Sequence, residues 1–328
     1  MQRKKIIVAL ALFAVVVAAA AAVALPGYTQ SPAGAATGET ERREAQGSAR
    51  ERVVAETAKA AGRLKDVAAT APDEWAAAAG AEFAAAARQN VTLRGGLDWV
   101  FGGKSQRGWS LYQPLIASTL AVEAGADSHD FAFAVSRWQK SLGLQPSGVL
   151  DRPSWMKLVE TWQSNRLKVR GYPSDDQLVT VAPAEFYDPA RPAEMRRVER
   201  ETYAAYRRML AAAAADKSLG LELDANGELA ETEKFFKIVS AFRSKEYQDR
   251  LRRQEPGAGR AALAVHSPHF TGRALDLYVG GYDPVSTKDD NRAMQTQTRA
   301  YQWLVRNAGK FGFRPYYYEP WHWEYVGN

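Results

Sequence analysis

His266-Ser267-Pro268-His269-Phe270-Thr271-Gly272-Arg273-Ala274-Leu275-Asp276 and, near the C-terminus, Glu319-Pro320-Trp321-His322-Trp323-Glu324-Tyr325 are the two stretches on which the reading of this chain turns. From Arg273 to Val279, Ala274, Asp276 and Tyr278 alternate with Leu275 and Leu277, the period-two pattern of a strand. Asp276 then stands on one face of a sheet and the leucines fill the other. In the second stretch His322, Glu324 and Val326 share one side of a strand, with Trp321, Trp323 and Tyr325 on the opposite side. Pro320 disfavours the helical region for Glu319 and is expected to hold it extended just before that strand. Gly272 removes side-chain bulk ahead of the first strand.

Three of the four histidines of the chain lie in these stretches. A histidine followed seven residues later by an aspartate, and a glutamate followed three residues later by a histidine, supply two neutral nitrogens, one ligand carboxylate and one spare carboxylate. That is the inventory of a catalytic zinc site: three protein ligands, a fourth position for water, and a base for the water's proton. The chain has no cysteine, so disulfides and thiolate ligands are excluded, and any such site is built from nitrogen and oxygen.

The pattern Ser-x-His-x-x-Gly-x-Ala-x-Asp, met as Ser267 to Asp276, followed by Glu-Pro-Trp-His-x-x-Tyr, met as Glu319 to Tyr325, resembles the VanY-type D-alanyl-D-alanine carboxypeptidases, grouped with the lysostaphin and hedgehog metallopeptidases. Ser240-Ala241-Phe242-Arg243-Ser244, with Gln248 after it, is similar to that family's Ser-Gly-Tyr-Arg-Ser stretch. The resemblance spans roughly 185–327. It implies that His269, Asp276 and His322 bind zinc, that Glu319 is the catalytic base, and that Arg243 assists at the substrate carbonyl or carboxylate. Ser267 is expected to bind substrate or to hold His269, and His266 to play a supporting part without being a ligand. Ala241 stands where the family pattern has glycine, Pro268 lies between Ser267 and His269, and a long polar insert runs over 280–297. The aromatics Tyr317, Tyr318, Trp321 and Trp323 are read as core before substrate platform.

Around these stretches the sequence predicts an α+β domain, helices against a small antiparallel sheet, over 185–328. Met195, Val198, Thr202, Tyr206 and Met209 recur at three or four residues, predicting a helix from near Pro192. Residues 235–241 read as its first long strand, with Arg243 at the strand end, and Tyr301, Leu304, Val305 and Ala308 as the face of a last helix.

Upstream, 105–163 predicts a separate small all-α domain. Phe131, Ala134, Val135, Trp138 and Leu142 sit at helical spacing before Gly143; a turn follows at Pro146-Ser147-Gly148-Val149-Leu150-Asp151, and Ser154-Trp155-Met156-Lys157-Leu158 opens another helix. This is similar to peptidoglycan-binding helical domains, with Trp138 for phenylalanine and Ser154 for threonine, and it implies cell-wall glycan as a partner; a helical spacer that binds nothing fits the same core positions. His129 is expected at a surface or helix start. Residues 164–184 read as a linker.

Residues 6–25 form an unbroken apolar run after a basic start, an N-terminal apolar helix that is either a signal peptide or a membrane anchor. Ala22-Val23-Ala24 offers a cleavage site and the length favours an anchor. In either case the basic end stays inside and the remainder is exported, which places the folded part in the cell envelope, outside the cytoplasmic membrane. Residues 27–104 read as a tether over 27–48 followed by helices over 49–90 that form a stalk or a small helical bundle. The net charge of +6 is spread along the chain in mixed sign, a solvated surface with no nucleic-acid partner expected. The expectation is therefore an exported zinc D,D-carboxypeptidase acting on peptidoglycan stem peptides. Its alternatives are an endopeptidase or L,D-carboxypeptidase of the same fold, or a non-catalytic wall-binding protein.

Overall fold

In the computed structural model, residues 80–225, 227–254 and 267–327 are described. The apolar run 6–25, the tract 27–48, the helices expected over 49–79, His266 and the side chain of Gln248 lie outside the described residues. The chain divides into two units, Met1–Asp73 and Glu74–Asn328, and everything described belongs to the second. No described helix is long and apolar enough to cross a membrane.

Helix α1 (Gly80–Gly96) leads into an antiparallel hairpin, β1 (Asp98–Phe101) and β2 (Lys104–Arg107), and then into α2 (Gln113–Leu120), α3 (His129–Ser141) and α4 (Arg152–Ser164). The helix starts are built as their residues dictate: Ser128 accepts the Phe131 N–H to cap α3, and Asp151 accepts that of Ser154 to cap α4, where Pro153 fills the first turn. Trp99, Trp109, Tyr112, Phe131, Trp155 and Leu158 form the buried centre. Of the face expected on α3, Phe131, Ala134 and Val135 are buried, while Leu142 is exposed. The turn between α3 and α4 is held by two buried amides. Gln139 reaches Val149 O, Ser154 Oγ and the Gly148 N–H, and Asn90 spans Gly148 O and the Leu150 N–H. Gly148 has φ +70°, and a Cβ there would meet Ala132 O at 2.8 Å, so only glycine fits.

The expected linker 164–184 carries β3 (Leu178–Thr180), which pairs antiparallel with β4 (Arg197–Glu199). Helix α5 (Arg200–Ala215) then starts eight residues later than expected from Pro192. Val198 buries in the β3–β4 ladder and not on a helix, so the apolar recurrence continued across a strand and a short 3-10 turn (Ala193–Met195) without marking the boundary. Glu199 sets the start by accepting from both the N–H and the hydroxyl of Thr202, at 2.9 and 2.7 Å.

Four antiparallel strands in the order β5-β6-β8-β7 make the principal sheet: β5 (Ile238–Ser240), β6 (Ala274–Leu277), β7 (Phe313–Pro315) and β8 (His322–Tyr325). Between β5 and β6 lies α6 (Lys245–Gln254), and between β6 and β7 lie α7 (Asp289–Thr296) and α8 (Arg299–Asn307). Leu275 pairs with Trp323, and both enter the core with Leu277, Tyr206 and Met209 of α5, and Tyr301, Trp303 and Leu304 of α8. On the opposite face, Asp276 pairs with His322 and Ala274 with Glu324. The alternation read from the sequence is thus the alternation of the sheet, except that both faces are buried.

One more expectation is corrected. The long first strand over 235–241 shrinks to Ile238–Ser240, because Phe236 takes φ +67° and the pairing with β6 is bulged between Ile238 and Ser240. The polar insert 280–297 is a built-in part of the fold. Asn291, Arg292 and Gln295 are fully buried, and Asn291 closes the loop by accepting from the Tyr282 and Asp283 N–H groups and donating to Asp283 O and Ser286 O. Part of the polarity here is internal hydrogen bonding, while 287–290 stays exposed.

Candidate metal centre

Strands β6 and β8 place Asp276 and His322 side by side, and the 3-10 turn Pro268–Thr271 brings His269 to the same point. Gly272 ends that turn at φ +67°; a Cβ there would stand 3.0 Å from both the Cβ and the N of Glu199, so glycine lets the turn lie against the start of α5. Ser267 caps the turn through its oxygen, 3.4 Å from the His269 N–H, which ties Ser267 to the backbone of His269.

One ligand atom from each of His269, Asp276 and His322 lies within 4.8 Å of the others, and all three residues are buried. His269 Nε2 is 3.3 Å from Asp276 Oδ2, and His322 Nδ1 is 2.8 Å from Asp276 Oδ1. The second nitrogen of each imidazole is already engaged. His269 Nδ1 stands 2.7 Å from the Ala241 carbonyl, and His322 Nε2 stands 3.2 Å from Glu324 Oε1. A carbonyl or ionised carboxylate can only accept, so those nitrogens carry the hydrogens, and the neutral rings direct their lone pairs at Asp276. Lone pairs facing a carboxylate call for a cation between them, a proton or a metal ion. The donor set, two nitrogens and one oxygen with both rings fixed from behind, fits zinc.

Electrostatics report the same demand. Burial opposes the charge on Asp276, yet attraction to the His269 and His322 imidazoles overcomes it and holds its carboxyl well below the usual range. Burial also works against a charged His322, but its hydrogen bonds to Asp276 and Glu324 lift it to about 9. His269 moves the other way, lowered chiefly by burial and by nearby Arg243, with Asp276 only partly compensating.

Arg243 follows β5 at the strand end. Its guanidinium sits 3.4 Å from Asp276 Oδ2 and is braced by Ser240 Oγ at 3.1 Å, while its backbone N–H donates to His269 O. Glu319 lies between two tight turns, its N–H donating to Tyr316 O and its carbonyl accepting from the His322 N–H. Its half-buried carboxyl is raised by desolvation, with His322 pulling down and Asp276 pushing up, and settles at about 7.

Residues 195–328 match the family VanY: D-alanyl-D-alanine carboxypeptidase. The matched VanY domain holds every residue singled out for the site, and the family acts on the D-Ala-D-Ala ends of peptidoglycan stems. A comparison with curated proteins finds no match.

Three supports of the VanY site escaped the sequence reading. The Ala241 carbonyl behind His269 has no side-chain signature. Glu324 was placed on the inward face with His322, and a carboxylate there was the available signal. Arg166, whose guanidinium donates to Glu324 Oε1, lies 158 positions away and outside the matched segment, so no local pattern could reveal it. The turn bearing Glu319 is also packed from upstream. Tyr317, 2% exposed, lies among Phe101, Tyr112 and Trp162, with centroids 5.1, 5.6 and 5.8 Å away. Arg292 donates to Tyr318 O and lies 4.2 Å over the Tyr318 ring. Tyr317 is core, as expected, and these three neighbours come from β1, the turn before α2, and α4.

Proposed function

We propose that this chain is an exported, zinc-dependent D-alanyl-D-alanine carboxypeptidase of the cell envelope, cutting the terminal peptide bond of peptidoglycan stem peptides. The observation that carries the reading is the convergence of His269 Nε2, Asp276 and His322 Nδ1, each ring fixed through its other nitrogen, inside a VanY domain. A zinc ion bound by these three residues supplies Lewis acidity and brings water toward a pKa of ~7.

The chain's own groups account for the proton and charge traffic. Glu319, raised by burial in the metal-free site and close enough to His322 and Asp276 to feel their charges, takes a proton from water as its oxygen attacks the carbonyl carbon. The carbonyl π pair moves to oxygen, and the Arg243 guanidinium is placed to stabilise that negative charge or to pair with the free terminal carboxylate. Glu319 then returns its proton to the leaving nitrogen, the C–N bond breaks and D-alanine departs. Ser267 holds the His269 backbone and is available to the substrate. The apolar run 6–25 would deliver the domain across the membrane, and 105–163 would bring it to wall glycan.

Digestion of purified muropeptides, with products identified by mass spectrometry with and without chelator, tests the proposal. Release of free D-alanine from pentapeptide in the metal-loaded sample alone is expected; an internal cut, or turnover that ignores the chelator, overturns it.

A further inference from the structure

Behind His322 lies a carboxylate that the catalytic sequence above does not use. Glu324 is 0% exposed, and both of its oxygens are committed. Oε1 faces His322 Nε2 at 3.2 Å and accepts from Arg166 Nε at 2.9 Å and from a second guanidinium N–H. Oε2 accepts the Leu167 N–H at 2.8 Å. A carboxylate bonded on both oxygens cannot swing, so the imidazole it faces is fixed in orientation and tautomer.

Arg166 is itself held. It follows the end of α4, donates to Gln163 Oε1 at 3.2 Å, and lies 3.9 Å over the ring of Tyr316. Six residues on, Tyr172 stacks on Phe270 at 5.2 Å and 16°, next in sequence to His269. The strap 166–172 is therefore pinned at one end behind His322 and at the other beside His269. A buried ion pair is by itself weak evidence of added stability, since desolvating both partners offsets their attraction. Its value here lies in where it points.

We propose that Glu324 and Arg166 are a positioning pair for His322, so that the metal centre of the VanY domain is completed by a residue from outside residues 195–328. The inference rests on the metal site proposed above. Arg166 orients and neutralises Glu324, Glu324 takes the Nε2–H of His322, and the Nδ1 lone pair is thereby left facing Asp276. Carboxylates in this relation to a ligand histidine typically govern metal affinity by ~10–100-fold.

The test is zinc affinity, measured by chelator competition on folded protein well below its melting temperature, for the wild type, Glu324→Gln, Arg166→Met, Arg166→Lys and the double variant Glu324→Gln/Arg166→Met. Glu324→Gln is expected to weaken zinc binding by ~10–100-fold. Arg166→Met should weaken it by at least severalfold, Arg166→Lys should recover part of the loss, and the double variant should be no weaker than Glu324→Gln alone, because the arginine acts through the glutamate. Thermal unfolding of the metal-free proteins runs alongside. Wild-type affinity in Glu324→Gln and Arg166→Met, whatever happens to their melting temperatures, overturns the positioning role and leaves a purely structural ion pair. Losses that simply add in the double variant overturn the coupling through Glu324. If Glu324→Gln does not fold, the two Arg166 variants decide alone: Arg166→Met binding zinc as the wild type does contradicts the proposal. A wild type that binds no zinc defeats the metal-site reading itself, a different outcome from a zinc-binding wild type whose variants match it.

Discussion

Glu319 and Glu324 stand five residues apart on either side of the ligand His322, and their surroundings drive them in opposite directions. Glu319 sits on a turn held by packed rings, and burial raises its carboxyl to about 7. Glu324 sits within a strand. Burial pushes it up too, but hydrogen bonds from His322 and Arg166 outweigh that and bring it to about 2. In the metal-free protein the two carboxylates are pushed apart, Glu319 upward and Glu324 downward, which suits them to different work. The first is suited to chemistry and the second to holding a ring.

The sharpest way to break that contrast is to neutralise each glutamate in turn. Glu319→Gln should lower turnover by ~10²–10⁴-fold while zinc stays bound. Glu324→Gln should act first on zinc affinity, by the ~10–100-fold given above. If the two variants fail in the same way, the division is wrong.

A third prediction uses pH on the metal-free protein. His322 binds its proton more tightly folded than unfolded, so its contribution is fully present below the ordinary value of 6.5 and is lost as pH rises through about 9. Glu319 is likewise raised, and its contribution is lost between 4.5 and about 7. Glu324 is depressed; its contribution is present above 4.5 and lost as pH falls toward about 2. Denaturant melts in chelator should therefore lose stability between pH 7 and 9, the window left to His322. Excess zinc, taking the place of the Nδ1 proton, should remove that loss.

The smallest effect is expected on the Glu319 side. The Tyr317 hydroxyl is buried with no hydrogen-bond partner among the described residues, so Tyr317→Phe should change stability by no more than ~1 kcal/mol and leave turnover intact, because the ring and not the hydroxyl holds the turn. A large loss of turnover would show that the turn depends on a polar contact.

The contrast between the two glutamates also marks where sequence reading succeeds. Asp276, His322 and the leucines of β6 were legible because a strand's period is short and the residues that report it are neighbours. The helices around Trp155 were legible for the same reason. The start of α5 was not, since Val198 is apolar for a sheet and still falls at helical spacing. The 280–297 insert was legible only as polar, because buried amides such as Asn291 look the same in sequence as exposed ones. Arg166 and Tyr317 gained their roles only when segments far apart in the chain packed together, and no local pattern encodes that.

The most direct test of the central claim is a zinc titration of the purified chain, with Asp276→Ala as comparison. One equivalent bound tightly by the wild type, with binding lost in the variant, is the predicted result. Equal zinc binding by both proteins would contradict a centre built from His269, Asp276 and His322.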